Sequence, residues 1–171
     1  MFNLLVSGVA GAWEGAHLDM DLDRFNTYSG KSREIIDPDD PASLRQLDAT
    51  VALVLYELGV EGPNAKVVRH GRLRNVARYG QVVSCQIELD PERPYLPREK
   101  IVDFQRHLDM HRLEQGRTHW AIKDGDLPPA LLEAATLEPS ADPDVPPGTE
   151  APAETLVDGI AVYPKAHGWW R

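Results

Sequence analysis

The densest set of chemically useful side chains is the run Arg117-Thr118-His119-Trp120-Ala121-Ile122-Lys123-Asp124, closed by Asp126. A histidine beside a carboxylate is the minimum for a general base with an orienting partner, so His119 and Asp124 are the catalytic candidates. Arg117 and Lys123 could hold an anion, and Trp120 could anchor either a contact surface or the core. Asp103, His107 and His111 form a second set. On a helix the two histidines, four apart, share a face, and with a carboxylate one turn earlier they approach a transition-metal ligand set. The residue after His107 is Leu108, where a metalloprotease helix needs Glu, so that chemistry is excluded. Asp19, Asp21 and Asp23 open like a calcium loop, but Arg24 stands where that loop requires glycine and Gly30 where it requires Glu.

Lys66, Arg69, Arg72, Arg74 and Arg78 form a third set, with no acid between Gly62 and Ile87. Such a basic ribbon can grip phosphates, which makes nucleic acid an alternative partner. The fourth set is Tyr163, Trp169 and Trp170 near the C-terminus. Adjacent tryptophans are costly to leave in water and are enriched where proteins meet.

The elements positioning these residues follow from periodicity. Phe2–Ser7 reads as a core strand, and Leu18 to Asp23 alternates apolar with acidic as a half-buried strand does. Val51 to Glu57 reads as a strand. Lys66–Arg78 and Gln81–Leu89 read as a hairpin turning near Tyr79-Gly80. Ser43 reads as the cap of a short helix. Ile101, Phe104 and Leu108 predict one long helix from Arg98 to Leu113, stopped by Gly116. A short strand over 117–124 and a short helix after Pro128-Pro129, capped by Asp126, complete the body. The fold class expected is α+β: a small, mostly antiparallel sheet or open barrel with one main packed helix and a disordered acidic linker.

The net charge of −9 is unevenly spread. Between Lys123 and Lys165 there are nine acids and no Lys or Arg; removing those nine from 27 acids leaves 18, equal to the 18 bases. Outside that interval acids and bases balance, and the excess acidity lies between Lys123 and Lys165. Expected divisions are a compact domain over 1–137, an acidic proline-rich linker over 138–154 and an aromatic docking segment over 155–171. The single cysteine, Cys85, excludes an internal disulfide and reads as a buried hydrophobe. The N-terminal apolar run has no basic flank and is shorter than a membrane span, so a cytoplasmic protein with no membrane contact is expected.

The segment Arg-Thr-His-Trp-Ala-Ile-Lys-Asp, with a helix before it and Asp126-Leu127 after, resembles one in small bacterial α+β domains of unassigned role, some of which accompany host-defence or other multi-component systems. The resemblance covers well under half the chain and implies no catalytic residue. The reading is therefore a non-enzymatic binding or adaptor protein needing no cofactor. Its protein partner would be reached through the C-terminal segment, with the 117–126 segment and the basic hairpin as further contact surfaces. The alternatives are a small metal- or His/Asp-dependent hydrolase or nuclease, and a nucleic-acid-binding module using the hairpin.

Overall fold

The computed structural model describes residues 1–34, 36–62, 65–111 and 113–137, apart from the side chains of Ser32 and Arg33. Tyr163, Trp169 and Trp170, with both expected C-terminal segments, lie outside the described residues.

Among the described residues, seven strands form one mixed sheet that does not close: β1 (Phe2–Ser7), β2 (His17–Asp21), β3 (Val51–Tyr56), β4 (Val67–Tyr79), β5 (Val82–Leu89), β6 (Tyr95–Pro97) and β7 (His119–Lys123). Their order is β2-β5-β4-β3-β1-β7, with β6 on β4. β1 and β3 run parallel, and every other pairing is antiparallel. The helices are short: α1 (Pro41–Leu44), α2 (Arg98–Asp103) and α3 (Pro129–Glu133).

This corrects the expected architecture. The protein is mostly sheet, and no single helix dominates its packing. The helix expected to reach Leu113 ends at Asp103 and is followed by turns up to Asp109, which takes a left-handed φ of 49°. Ile101, Leu108 and Met110 still bury. The apolar spacing therefore reported which residues face the sheet, and a chain of successive turns satisfies that spacing as a continuous helix would. Nearer the N-terminus, Asp40 rather than Ser43 caps α1, taking the Ala42 N–H at 2.9 Å. Asp126 does not cap α3, which begins after Pro128.

Because side chains alternate along a strand, β1 sends Leu5 into one core and Phe2, Leu4 and Val6 into a second on the opposite face. The first core holds Trp13, Phe25, Leu73, Cys85 and Trp120. The second is covered by β6, α2 and α3 through Leu96, Ile101 and Leu131. β7 is buried along its whole length: Trp120 and Ile122 face the first core, while His119, Ala121 and Lys123 face the other way. The outer edge of β7 is covered by the chain following β2. There the Trp120 N–H donates to the Arg24 carbonyl at 2.9 Å, and the Thr27 N–H to the Trp120 carbonyl at 3.1 Å. Phe25 stands edge-on to Trp120 with centroids 5.0 Å apart. This pairing brings residues 23–28 alongside the 117–123 segment.

Candidate functional site

Trp120 is a core anchor. Its ring is fully buried and its indole N–H donates to Asn3 Oδ1 at 2.9 Å. Asn3, also fully buried, donates in turn to Thr50 Oγ1 and to the Val51 carbonyl. All of this polar chemistry is satisfied inside the protein, so Trp120 offers nothing to a ligand.

The flanking residues form a buried ionic cluster. Lys123 is 1% exposed, and its ammonium donates to the Tyr28 carbonyl at 3.0 Å, the Asp109 carbonyl at 2.7 Å and Glu114 Oε1 at 2.9 Å. An ammonium has three protons, and each of these has an acceptor. Two of the acceptors belong to residues in left-handed conformations, Tyr28 (φ 57°) and Asp109 (φ 49°). A bulky residue held there is strained, and such strain persists only where the surroundings enforce it. Lys123 is the pin that enforces it at both points. It also fixes the end of the turns that follow α2, since the Asp109 carbonyl turns toward the ammonium.

Glu114, likewise 1% exposed, completes the cluster. Its Oε1 also takes the His111 N–H at 2.6 Å, and its Oε2 lies 3.3 Å from His119 Nε2. Burial pushes the Glu114 carboxyl up, but the hydrogen bonds from His119, Lys123 and the His111 backbone, with the charge of Lys123, outweigh burial and hold it below the ordinary value. The other nitrogen of His119, Nδ1, lies 2.7 Å from the Arg117 carbonyl, and Tyr28 stands edge-on to the imidazole with centroids 5.0 Å apart.

Two surface depressions flank this cluster. One, of about 530 Å³, is lined by Asp23, Arg24, Thr27, Tyr28, Arg117, Thr118 and His119. The other, of about 620 Å³, is bordered by Arg106, Asp109, His111, Glu114 and Lys123, and shares Tyr28 with the first. On the rim, Arg117 Nη1 donates to the Tyr28 hydroxyl at 3.2 Å. Thr118 Oγ1 takes the Gly8 N–H at 2.9 Å and donates to Glu57 Oε1 at 2.6 Å, which ties three loops together.

The remaining sequence-predicted residues are not gathered here. Asp124 lies beyond the end of β7, exposed, and accepts the Lys31 N–H at 2.8 Å. Five residues of extended chain separate it from His119 by about 16 Å, so the two do not form a dyad. Asp103 pairs with Lys100 at 3.4 Å, the His107 ring leans on Phe104, and His111 Nδ1 accepts the Leu113 N–H. With the helix broken after Asp103, four-residue spacing no longer aligns these three. Among the described residues no group of three or more His, Cys, Asp or Glu side chains is placed to hold a metal ion.

The hairpin arginines are divided between the two faces and engaged. Arg69 turns its guanidinium onto the Trp13 and Gly15 carbonyls, and burial lowers its pKa from the ordinary value. Arg72 donates to the Ala49 carbonyl at 2.9 Å, Arg74 pairs with Glu88 at 2.6 Å, and Arg78 pairs with Asp39. Lys66 is exposed just before β4. Beside Arg72 and Arg74, β5 and β2 present Glu88 and Asp19, so that face is mixed in charge.

Sequence reasoning missed Arg24, Tyr28 and Glu114, which come from separate loops. One signal was available. A lysine at the fifth position of a strand whose alternate neighbours are apolar needs a buried counter-charge, and Glu114 is the nearest preceding acid.

No family model, curated protein or solved structure matches this chain.

Proposed function

We propose that the protein is a non-enzymatic binding or adaptor protein, and that the face around Arg24, Tyr28 and Arg117 is a contact surface for its partner. The observation that carries this reading is the division of labour within the 117–124 segment. Every polar group that catalysis would need, on His119, Glu114 and Lys123, is buried and turned toward another part of the chain. Arg24 and Arg117 line an open depression, Arg117 exposed and the Arg24 side chain 43% exposed. A general base must reach a substrate proton, and a ring 1% exposed does not. Arginine with a neighbouring aromatic on a rigid frame is the composition found at binding hot spots. The aromatic C-terminal segment serves as a second point of attachment.

The test is affinity capture from the native host with the full-length chain, with Arg24→Glu/Arg117→Glu, and with Trp169→Ala/Trp170→Ala. The reading expects one stoichiometric partner, lost or strongly reduced with the arginine pair and weakened with the tryptophan pair. Retention of the partner by the arginine variant would remove this face from the account.

A further inference from the structure

A buried ionic cluster lies beneath the Arg24–Arg117 depression. Two oxygens, the Arg117 carbonyl and Glu114 Oε2, face the two ring nitrogens of His119 at 2.7 and 3.3 Å. A carbonyl only accepts, so Nδ1 carries a proton. Glu114 Oε2 also lies 2.9 Å from the Lys123 ammonium. Rotating the ring by half a turn would put carbon where each nitrogen now meets oxygen. The Glu114 carboxylate is thereby engaged by Lys123 and His119.

Above this floor stand Arg24 and Arg117, with Asp23 on the same rim, 3.7 Å from Arg24 Nε and its side chain 76% exposed. Arg117 spends one nitrogen on the Tyr28 hydroxyl. The other guanidinium nitrogens of the pair have no hydrogen-bond partner in this cluster. A concave site with two arginine forks at its rim attracts a group with two or more anionic oxygens, because a guanidinium matches carboxylate and phosphate geometry.

We propose that this depression is an oxyanion-binding site, which takes a carboxylate or phosphoryl group between Arg24 and Arg117 over the His119–Glu114–Lys123 cluster. The assignment rests on the reading of this face as the contact surface, and it names the chemistry that the partner must present there. Tyr28 shapes the site through its strained backbone, which Lys123 holds from below.

The test is an NMR titration of the isotope-labelled full-length chain with sodium phosphate and, separately, with a hexaglutamate peptide, against sodium chloride at matched ionic strength. The expected result is saturable shifts at the Tyr28, Arg117 and Thr118 amides beyond those from chloride, with affinity at least tenfold weaker in Arg24→Gln/Arg117→Gln. Arg117→Lys, which keeps the charge and loses the fork, should weaken binding less than Arg117→Gln. Tighter binding of phosphate identifies a phosphoryl ligand, and tighter binding of the peptide a carboxylate one. Unchanged tryptophan indole resonances report that the variants remain folded. Shifts no larger than those from chloride, or equal in the variants, would overturn the proposal. If phosphate binds but the captured partner ignores the arginine substitutions, the anion site stands and the contact surface falls; a partner lost without any anion binding gives the reverse.

Discussion

Replacing Lys123 by Met isolates the contribution of the pin, because it keeps the aliphatic stem and removes the charge. The Glu114 carboxyl, 1% exposed, would lose the ammonium that lies 2.9 Å from both of its oxygens. The Tyr28 and Asp109 carbonyls would lose their donor and, with it, the constraint on their left-handed backbones. Breaking a buried ion pair by removing one partner costs about 3–5 kcal/mol. A domain of this size has roughly 5–15 kcal/mol in total, so the variant should stay folded but with a much lower urea midpoint. Glu114→Gln/Lys123→Met removes the stranded charge as well and should recover about 2 kcal/mol of the loss. Lowering the pH should also help the single variant, since protonating Glu114 neutralises it. Urea unfolding followed by tryptophan fluorescence reads all three, because Trp120 is buried in the core on the same strand as Lys123. A loss below about 1 kcal/mol for Lys123→Met, or a double variant no more stable than the single one, would refute the reasoning.

Other outcomes follow from the same geometry. The Glu114 carboxyl is held low in the folded state, so its contribution is present at neutral pH and is lost as pH falls through and below the ordinary carboxylate range near about 4.3. Glu114→Gln should therefore flatten the acid limb of stability against pH, seen by thermal melting from neutral to acid pH. Gly71→Ala would place a Cβ 2.3 Å from the Glu88 carbonyl, where β4 meets β5, and should cost about 3 kcal/mol or more by denaturant unfolding. Cys85 is fully buried, and burial first, then the nearby charges of Asp19 and Asp48, push its thiol well up. It should resist a thiol reagent in the native protein and react at once in denaturant, by absorbance.

The strands were legible because their signals are local. Alternation over Leu18 to Asp23 marks β2, whose charged residues face water while Leu18 and Met20 bury. The hairpin of β4 and β5 turns at Gly80, with φ of 62°, where a Tyr-Gly step stood between two alternating runs. The long helix was misread because spacing records the direction of burial and does not require continuous helical hydrogen bonds. The turns after α2 end at Asp109, whose carbonyl is held by Lys123, fourteen residues later in the chain. The candidate site was half legible. The 117–124 segment stood out by composition, but its roles depend on Glu114, Tyr28 and Arg24, which the sheet topology assembles from distant segments. A pattern read along one segment does not show that His119 and Lys123 face inward together while Arg117 stays outside.

The most direct test of the central claim is hydrogen exchange on the full-length chain, alone and with its captured partner. The account predicts new protection over residues 23–29 and 113–119, the segments around the Arg24–Arg117 depression, with little change along β4 and β5. Protection confined to the Arg72 and Arg74 face of the hairpin, or none anywhere in residues 1–137, would contradict it.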